Sequence, residues 1–205
     1  MAIKFDSDRL IRLLEQSVER WHAAPLVHDA REPFLQRVSI LHGYNFQIWH
    51  EEDQARITGA GDDEIGRVKR RIDPLNQYRN DAMEALDEHV LSQLQNDGVE
   101  APEAAPLHSE AVGNIVDRLS ILSLKAYHMA EETRREDAGG AHCRECETKL
   151  RVLQEQRADL AKALEDLGAD LSQGRKRFKV YRQMKMYNDP NLNPVLYGAV
   201  PEDSV

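Results

Sequence analysis

The chain has 205 residues, of which 41% are hydrophobic and 31% are charged. This size and balance fit one folded domain with its own core and exclude an intrinsically disordered or membrane-embedded protein. The formal net charge of −9 argues against nucleic acid as a general partner of the surface.

The first two helices are predicted from apolar residues that recur at helical spacing. Asp6 or Ser7 fits the N-cap of the first helix, and the apolar repeat carries it to Trp21. Pro33 fits the first turn of a second helix. That helix is predicted to run to about Thr58, where the run T-G-A-G-D-D breaks it.

A third helix follows this glycine-rich break. Asp62 or Asp63 fits its N-cap, and the helical pattern continues to about Gln95. Pro74 lies inside the pattern, so a kink is predicted in the turn that precedes it.

The second half of the chain is predicted to form a helical hairpin. Residues 96–109 hold one glycine and two prolines and are predicted to be a linker after the N-terminal helices of 1–95. Ser109 fits the N-cap of a fourth helix that runs to about Glu136. A fifth helix begins after a glycine pair, so the hairpin covers 110–174.

The fifth helix carries a narrow leucine stripe that is typical of a coiled coil. Its members alternate at three- and four-residue spacing, with Arg157 in the one missing place; they are Leu150, Leu153, Leu160, Leu164, Leu167 and Leu171. The stripe can bury against the bundle or pair with a second copy, so a homodimer is one prediction. The predicted fold is all-α: a helical bundle with a long coiled-coil-like C-terminal helical hairpin, in a single domain over 1–205.

Residues 175–205 are predicted to be a basic, aromatic segment and an irregular tail. Six basic residues and no acidic one lie between Arg175 and Lys185, with Phe178 and Tyr181 among them. Such a segment can bind phosphate, a nucleotide or RNA. The acidic net charge favours docking of the segment on the chain's own surface instead.

Charged and amide side chains fall on or beside the predicted buried faces of the three middle helices. They are His42, Trp49, Asp53 and Arg56 on the second helix, Asp73, Asn76, Arg79 and Asn80 on the third, and Asp117, Arg118, Lys125 and His128 on the fourth. Buried charges are costly unless they are paired and hydrogen-bonded. The group is therefore either a pocket for an anionic small molecule or an internal network that fixes helix register.

The pocket alternative assigns a role to each type of side chain. Basic residues would contact the anion, namely Arg56, Arg79 and Lys125, and the acids Asp53 and Asp117 would orient these cations or accept hydroxyl protons. His42 and His128 would carry protons near neutral pH. Asn76 and Asn80 would supply paired donors and acceptors.

Two patterns resemble parts of metal sites. His50 and Asp53 lie three apart, and Asp73 and Asp117 can approach from other helices, but the paired Glu-x-x-Glu spacing of carboxylate bundles is absent. Cys143-x-x-Cys146, beside a histidine, is half of a zinc pattern with no second half. No metal or cofactor is assigned from them.

Four motifs in order carry a family resemblance. They are W-H-E-E-D-Q-A-R at 49–56, K-R-R-I-D-P-L-N-Q-Y-R-N-D at 69–81, D-R-L-S-I-L-S-L-K-A-Y-H-M at 117–129 and F-K-V-Y-R-Q-M-K-M-Y-N-D-P-N-L-N-P at 178–194. Over nearly its whole length the chain resembles the bacterial family catalogued as domain of unknown function 4254. The family has no established activity, but its members are often encoded among cell-surface polysaccharide and glycosyltransferase genes. The resemblance therefore implies sugar or sugar-nucleotide metabolism by association alone.

The leading functional hypothesis is binding or modification of an anionic sugar or nucleotide-sugar in polysaccharide synthesis. One alternative is a non-enzymatic helical interaction module, or a homodimeric accessory protein for a glycosyltransferase. The other is a divalent-metal-dependent hydrolase in a helical bundle. We expect a cytoplasmic protein without membrane insertion, because no apolar run approaches about 20 residues and M-A-I-K-F-D-S-D lacks the apolar core of a signal peptide.

Overall fold

The computed structural model describes residues 3–182 and residue 192, and within them the chain forms five helices and no regular strand. The helices are α1 Ser7–Ala23, α2 Pro33–Ala55, α3 Asp62–Asn96, α4 Val112–Glu132 and α5 Gly140–Ser172. An isolated parallel bridge joins Leu107 to Arg177. The predicted all-α helical bundle is confirmed.

Helix α4 lies at the centre of the bundle and packs against each of the other four helices. Apolar side chains cover most of its circumference, and those buried include Val112, Ile115, Val116, Leu119 and Leu124. A helix that is apolar on nearly all sides needs neighbours on nearly all sides. This composition explains why α4, rather than a longer helix, occupies the centre.

Helix α5 packs along α4 and forms the predicted hairpin with it. The C-terminal half of the leucine stripe is buried in the common core, and the N-terminal half is only half-buried. Arg157, in the gap of the stripe, is buried and donates to Glu15 of α1. The stripe therefore packs largely within this chain, and a homodimer stays a prediction.

The ends of the first two helices follow the sequence signals closely. Asp6 caps α1, and its carboxylate accepts a hydrogen bond of 2.9 Å from the Arg9 amide. Pro33 occupies the first turn of α2, as predicted. The cap residue is Glu32, whose carboxylate accepts from two amides of that turn.

The predicted caps of α3 and α4 are wrong. Gly61 is the N-cap of α3, and Asp62 and Asp63 lie in its first turn, where acidic groups oppose the helix dipole favourably. Helix α4 begins at Val112 rather than after Ser109. Its N-terminus is satisfied from another helix, since Asp87 of α3 accepts a 2.7 Å hydrogen bond from the Gly113 amide.

The α3–α4 contact is close enough to require a glycine. A Cβ atom placed on Gly113 would lie 2.4 Å from the backbone oxygen of Met83. No side chain fits at that distance, so Gly113 sets how near the two helices approach. Helix α3 itself stays helical through Pro74, and the predicted kink there stays a prediction.

The described part of the basic segment docks on the chain's own acidic surface. Arg175 and Lys176 pair with Asp170, and Arg182 reaches two glutamates of α3. Phe178 is buried in the core. The docking interpretation fits residues 175–182, while 183–191 and 193–205 lie outside the described residues.

None of the described helices has both the length and the hydropathy required to cross a bilayer.

Candidate functional site

A polar network lies inside the bundle around Asp117. Arg79 of α3 donates to both carboxylate oxygens of Asp117, with Nε–Oδ1 at 2.8 Å and Nη2–Oδ2 at 2.7 Å. Asn45 of α2 donates to the same carboxylate at 2.8 Å and to the Ser120 hydroxyl at 2.9 Å. The network joins three helices, and Arg79 is engaged within the protein rather than held open for a ligand.

His42 completes this network and is fully buried. Its Nε2 lies 3.1 Å from the Leu14 carbonyl, and its Nδ1 lies 2.7 Å from the Ser120 hydroxyl. Nε2 therefore donates to the carbonyl, and Nδ1 accepts from the hydroxyl. Burial lowers the pKa of His42 to about 3. The ring stays neutral at physiological pH, unlike the proton carrier expected from the sequence.

Three of the predicted inward residues instead face solvent. Arg56 is exposed and pairs with Asp53 and Glu52 of its own helix. Asp73 is exposed and pairs with Lys69. The expectation that Asp53 and Arg56 point into the core is wrong, because helical phase gives a direction but does not place a neighbouring helix there.

Asn76, Asn80 and Arg118 lie in three different surroundings. Asn76 accepts a weak 3.5 Å hydrogen bond from Arg79 and so belongs to the Asp117 network. Asn80 lines a small cavity of about 50 Å³ beside Asp87. Arg118 pairs with Glu110 at 2.8 Å on the surface.

Three histidines from three helices converge at the surface of the bundle: His22 of α1, His50 of α2 and His128 of α4. Their ring centroids are 5.0 Å apart for His22–His50, 5.2 Å for His22–His128 and 5.7 Å for His50–His128. One ring nitrogen from each lies within 4.8 Å of the other two. Among the described residues, this histidine cluster alone brings three potential metal ligands this close.

Hydrogen bonds orient two of the three rings. The Nδ1 atom of His22 lies 2.8 Å from the Val18 carbonyl, and that of His128 lies 3.0 Å from the Glu131 carboxylate. Because both partners only accept, each Nδ1 carries a proton, and in the neutral ring each Nε2 has a lone pair.

Aromatic rings enclose the histidine cluster. Trp49 stacks on His128 with centroids 4.9 Å apart and an interplanar angle of 7°, and Tyr127 stacks on His22 at 4.6 Å and 15°. Phe46 meets His50 edge-on at 4.4 Å. Burial lowers the pKa of His50, and the neighbouring His22 and His128 lower it further. His50 therefore favours its neutral form.

A groove runs between α4 and α5 and begins beside this cluster. It encloses about 660 Å³, and its lining includes Trp49, Lys125, His128, Lys149, Val152 and Gln156. A second recess of about 630 Å³ shares Lys125 and Gln156 with it. These two side chains therefore lie where the groove and the second recess meet.

Lys125 is the unengaged cation of the groove. It forms no ion pair or hydrogen bond with any described residue, whereas Lys149 pairs with Glu145 at 2.7 Å. Lys125 was predicted from the sequence, as were Trp49 and His128, and the structure brings these three to one groove.

The cysteine pair forms no metal group with the histidine beside it. Cys146 Sγ lies 3.5 Å from His142 Nε2, but that nitrogen is also 2.9 Å from the Glu132 carboxylate. The Cys143 thiol donates to the Arg135 carbonyl. Both cysteines are free thiols.

Sequence reasoning missed His22, Tyr127 and Lys149. His22 and His50 each follow a tryptophan, but the three histidines of the cluster stand 28 and 78 residues apart, so no local metal-ligand spacing marks them. Only the packing of α1 and α2 on α4 brings them together.

A family model described as "Protein of unknown function (DUF4254)" matches residues 35–180. No curated protein and no solved structure matches the chain.

Proposed function

Because the chain belongs to the DUF4254 family, whose description gives no function, we propose one from the groove: the protein binds an anionic sugar or nucleotide-sugar there. The observation that carries this proposal is Lys125, whose ammonium group is unpaired among the described residues and lines the groove together with Trp49. An unpaired cation beside an aromatic ring is a combination that suits a phosphate attached to a sugar.

The position of Lys125 favours a nucleotide-sugar over a simple sugar phosphate. A nucleotide-sugar has two bulky ends joined by a diphosphate. Lys125 and Gln156 line both the groove and the second recess, so a diphosphate at this junction would leave one end on each side. Asp159, which lines the second recess, would accept hydrogen bonds from ribose hydroxyls.

The setting implied by the family resemblance, cell-surface polysaccharide synthesis, agrees with this ligand class. Nucleotide-sugars are made and used in the cytoplasm in such pathways, and a cytoplasmic location is part of the proposal.

A thermal-shift and calorimetric screen tests the proposal on the full chain. We expect nucleoside diphosphate sugars to raise the melting temperature more than sugar phosphates do, and orthophosphate to do so least. Lys125→Gln should weaken binding about tenfold or more, since a charge-assisted hydrogen bond contributes roughly 1.5–3 kcal/mol. Lys69→Gln, which removes an exposed and paired lysine of α3, is the matched control and should change nothing.

The proposal is overturned if no anion in that screen raises the melting temperature or binds in the calorimeter. Equal binding by the Lys125→Gln variant and the wild type also overturns the assignment of the groove, even if a ligand is found.

The second candidate is an interaction module, and one observation favours it. Val152 is 47% exposed and lines the groove beside the half-buried Leu153, so the groove offers apolar surface as well as charge. A helix of a second copy or of a glycosyltransferase would cover this surface. Light scattering that shows a monomer at every concentration would remove the homodimer.

A further inference from the structure

We propose that His22, His50 and His128 form a binding site for a divalent transition-metal ion, with Zn²⁺ as the metal that fits best. The inference does not depend on the groove ligand. It rests on the orientation, burial and spacing of three imidazole rings.

The orientation of the rings is the arrangement that metal-binding histidines use. Such a histidine donates its second ring N–H to a carbonyl or a carboxylate, which fixes the tautomer and turns the other nitrogen toward the metal. His22 donates to the Val18 carbonyl and His128 donates to the Glu131 carboxylate. In the neutral rings, both Nε2 atoms are therefore lone-pair donors.

Two of the cluster's nitrogens are buried without a partner among the described residues. They are the Nε2 atoms of His50 and His128. An unpaired buried polar atom is costly, and native proteins keep few of them. A metal ion would satisfy both atoms at once.

The spacing requires only a small adjustment. Zn²⁺ holds nitrogen ligands at about 2.0–2.1 Å, which sets the nitrogens of a tetrahedral site about 3.4 Å apart. One ring nitrogen of each histidine lies within 4.8 Å of those of the other two. Small rotations of the imidazole rings would close that difference, because His22 is exposed and the other two are only half-buried.

The donor set selects the class of metal. Three neutral imidazoles suit Zn²⁺, Cu²⁺, Ni²⁺ and Co²⁺, whereas Mg²⁺ and Ca²⁺ require oxygen ligands. Three protein ligands also leave a fourth position for water or another ligand, as in catalytic rather than structural zinc sites. His128 lines the groove as well, so this site borders the groove.

The chain offers matched controls for metal binding by an isolated histidine and for metal binding by thiols. His89 also has a buried Nε2 without a partner, but it is not part of any group of potential ligands among the described residues. Cys143 and Cys146 are free thiols, and thiols bind zinc readily. Replacing them tests whether a thiol site accounts for any metal found.

The experiment uses the full chain without a polyhistidine tag. Metal is removed with a chelator, Zn²⁺ is titrated in competition with a chromophoric chelator, and Co²⁺ is added separately to record its visible absorption. We expect one ion per chain and a Co²⁺ spectrum with nitrogen coordination. His22→Ala, His50→Ala and His128→Ala should each weaken Zn²⁺ binding about 100-fold or more, with circular dichroism confirming that each variant is folded.

His89→Ala and the double variant Cys143→Ser, Cys146→Ser should bind Zn²⁺ like the wild type. Absence of stoichiometric binding overturns the proposal, and so does loss of binding in the cysteine variant with retention in the histidine variants. Glu131→Gln should weaken binding by a smaller factor, about tenfold, through the orientation of His128. Lys125→Gln should bind Zn²⁺ normally, which separates failure of this site from failure of the groove proposal.

Discussion

Asp117 is the acidic side chain on which the internal polar network depends. It is only 7% exposed, and it accepts hydrogen bonds from Arg79 and Asn45. A buried carboxylate needs such partners, since removal of its cation leaves an uncompensated charge. Arg79 therefore acts first as a structural partner of Asp117.

The first prediction concerns this pair. Arg79→Ala should lower the free energy of unfolding by about 3 kcal/mol or more, because Asp117 stays buried without its cation. Urea denaturation at neutral pH measures the change. Arg71→Ala removes an exposed arginine paired to Glu51 and should have a much smaller effect.

The opposite result would assign Arg79 to ligand binding rather than to the internal network. Stability that is unchanged or increased in Arg79→Ala, together with loss of ligand binding, would mean that the arginine serves a ligand and that its pairing with Asp117 is secondary.

The second prediction concerns the pH dependence of stability, which two buried groups with oppositely shifted pKa values influence. Burial raises the pKa of Asp87 to about 6, so its stabilising effect is largest in acid and is lost as the pH rises through that value. Burial lowers the pKa of His42 to about 3, so its effect is present above about 6.5 and is lost as the pH falls. Between about pH 4 and 6, the two groups therefore change the unfolding free energy in opposite directions as the pH changes.

Asp87→Asn should remove the contribution of Asp87 and leave the pH dependence of stability that His42 causes. Relative to the wild type, the variant should lose about 1.4 kcal/mol of unfolding free energy for each pH unit between 6 and 4. Denaturation curves at several pH values measure this difference. Asparagine is chosen because its side-chain oxygen can still accept the hydrogen bond from the Gly113 amide. Parallel curves for the two proteins would show that Asp87 titrates normally.

At the scale of the helices, the third prediction concerns the α3–α4 contact. Gly113→Ala should destabilise the protein by about 2–3 kcal/mol, because the new Cβ meets the Met83 backbone rather than a flexible side chain. Gly66→Ala is the control: its Cβ would meet only the Arg70 side chain at 3.7 Å. That change should leave stability equal or raise it by about 0.5–1 kcal/mol. Thermal and urea denaturation measure the stability of both variants. Equal stability of the two would mean that α3 and α4 can move apart without loss of free energy.

The helices themselves could be predicted from the sequence, because apolar periodicity and proline are local signals. The predictions failed where a helix end depends on another helix. Ser109 is a typical N-cap residue, yet α4 begins at Val112. There, Asp87 of α3 accepts a hydrogen bond from the Gly113 amide. Such a cap has no local signature.

The candidate sites could be predicted only in part, for the same reason. Helical phase correctly placed His42 and Asp117 inside and gave Lys125 and His128 one sector of α4. It misplaced Asp53 and Arg56, whose side chains are both more than half exposed among the described residues. The histidine cluster depends on how three helices cross, which phase does not determine.

At the scale of the whole molecule, the fourth prediction tests where the leucine stripe packs. Arg157 is buried in the stripe, its Nε has no partner among the described residues, and Glu15 is half-exposed. Arg157→Leu would complete the stripe without stranding a buried carboxylate. We expect equal or higher stability by urea denaturation and an unchanged mass by light scattering. A shift toward dimer would show that the stripe also faces a second copy.

The stack of Trp49 on His128 gives the protein an optical reporter of its own. The chain has two tryptophans, and the other, Trp21, is buried against His42 and Phe46. Emission from Trp49 should respond to any ion or ligand that reaches its neighbours, whereas emission from Trp21 reports mainly on the core. A Trp21→Phe variant would isolate the first signal, so occupancy could be followed by fluorescence without an attached dye.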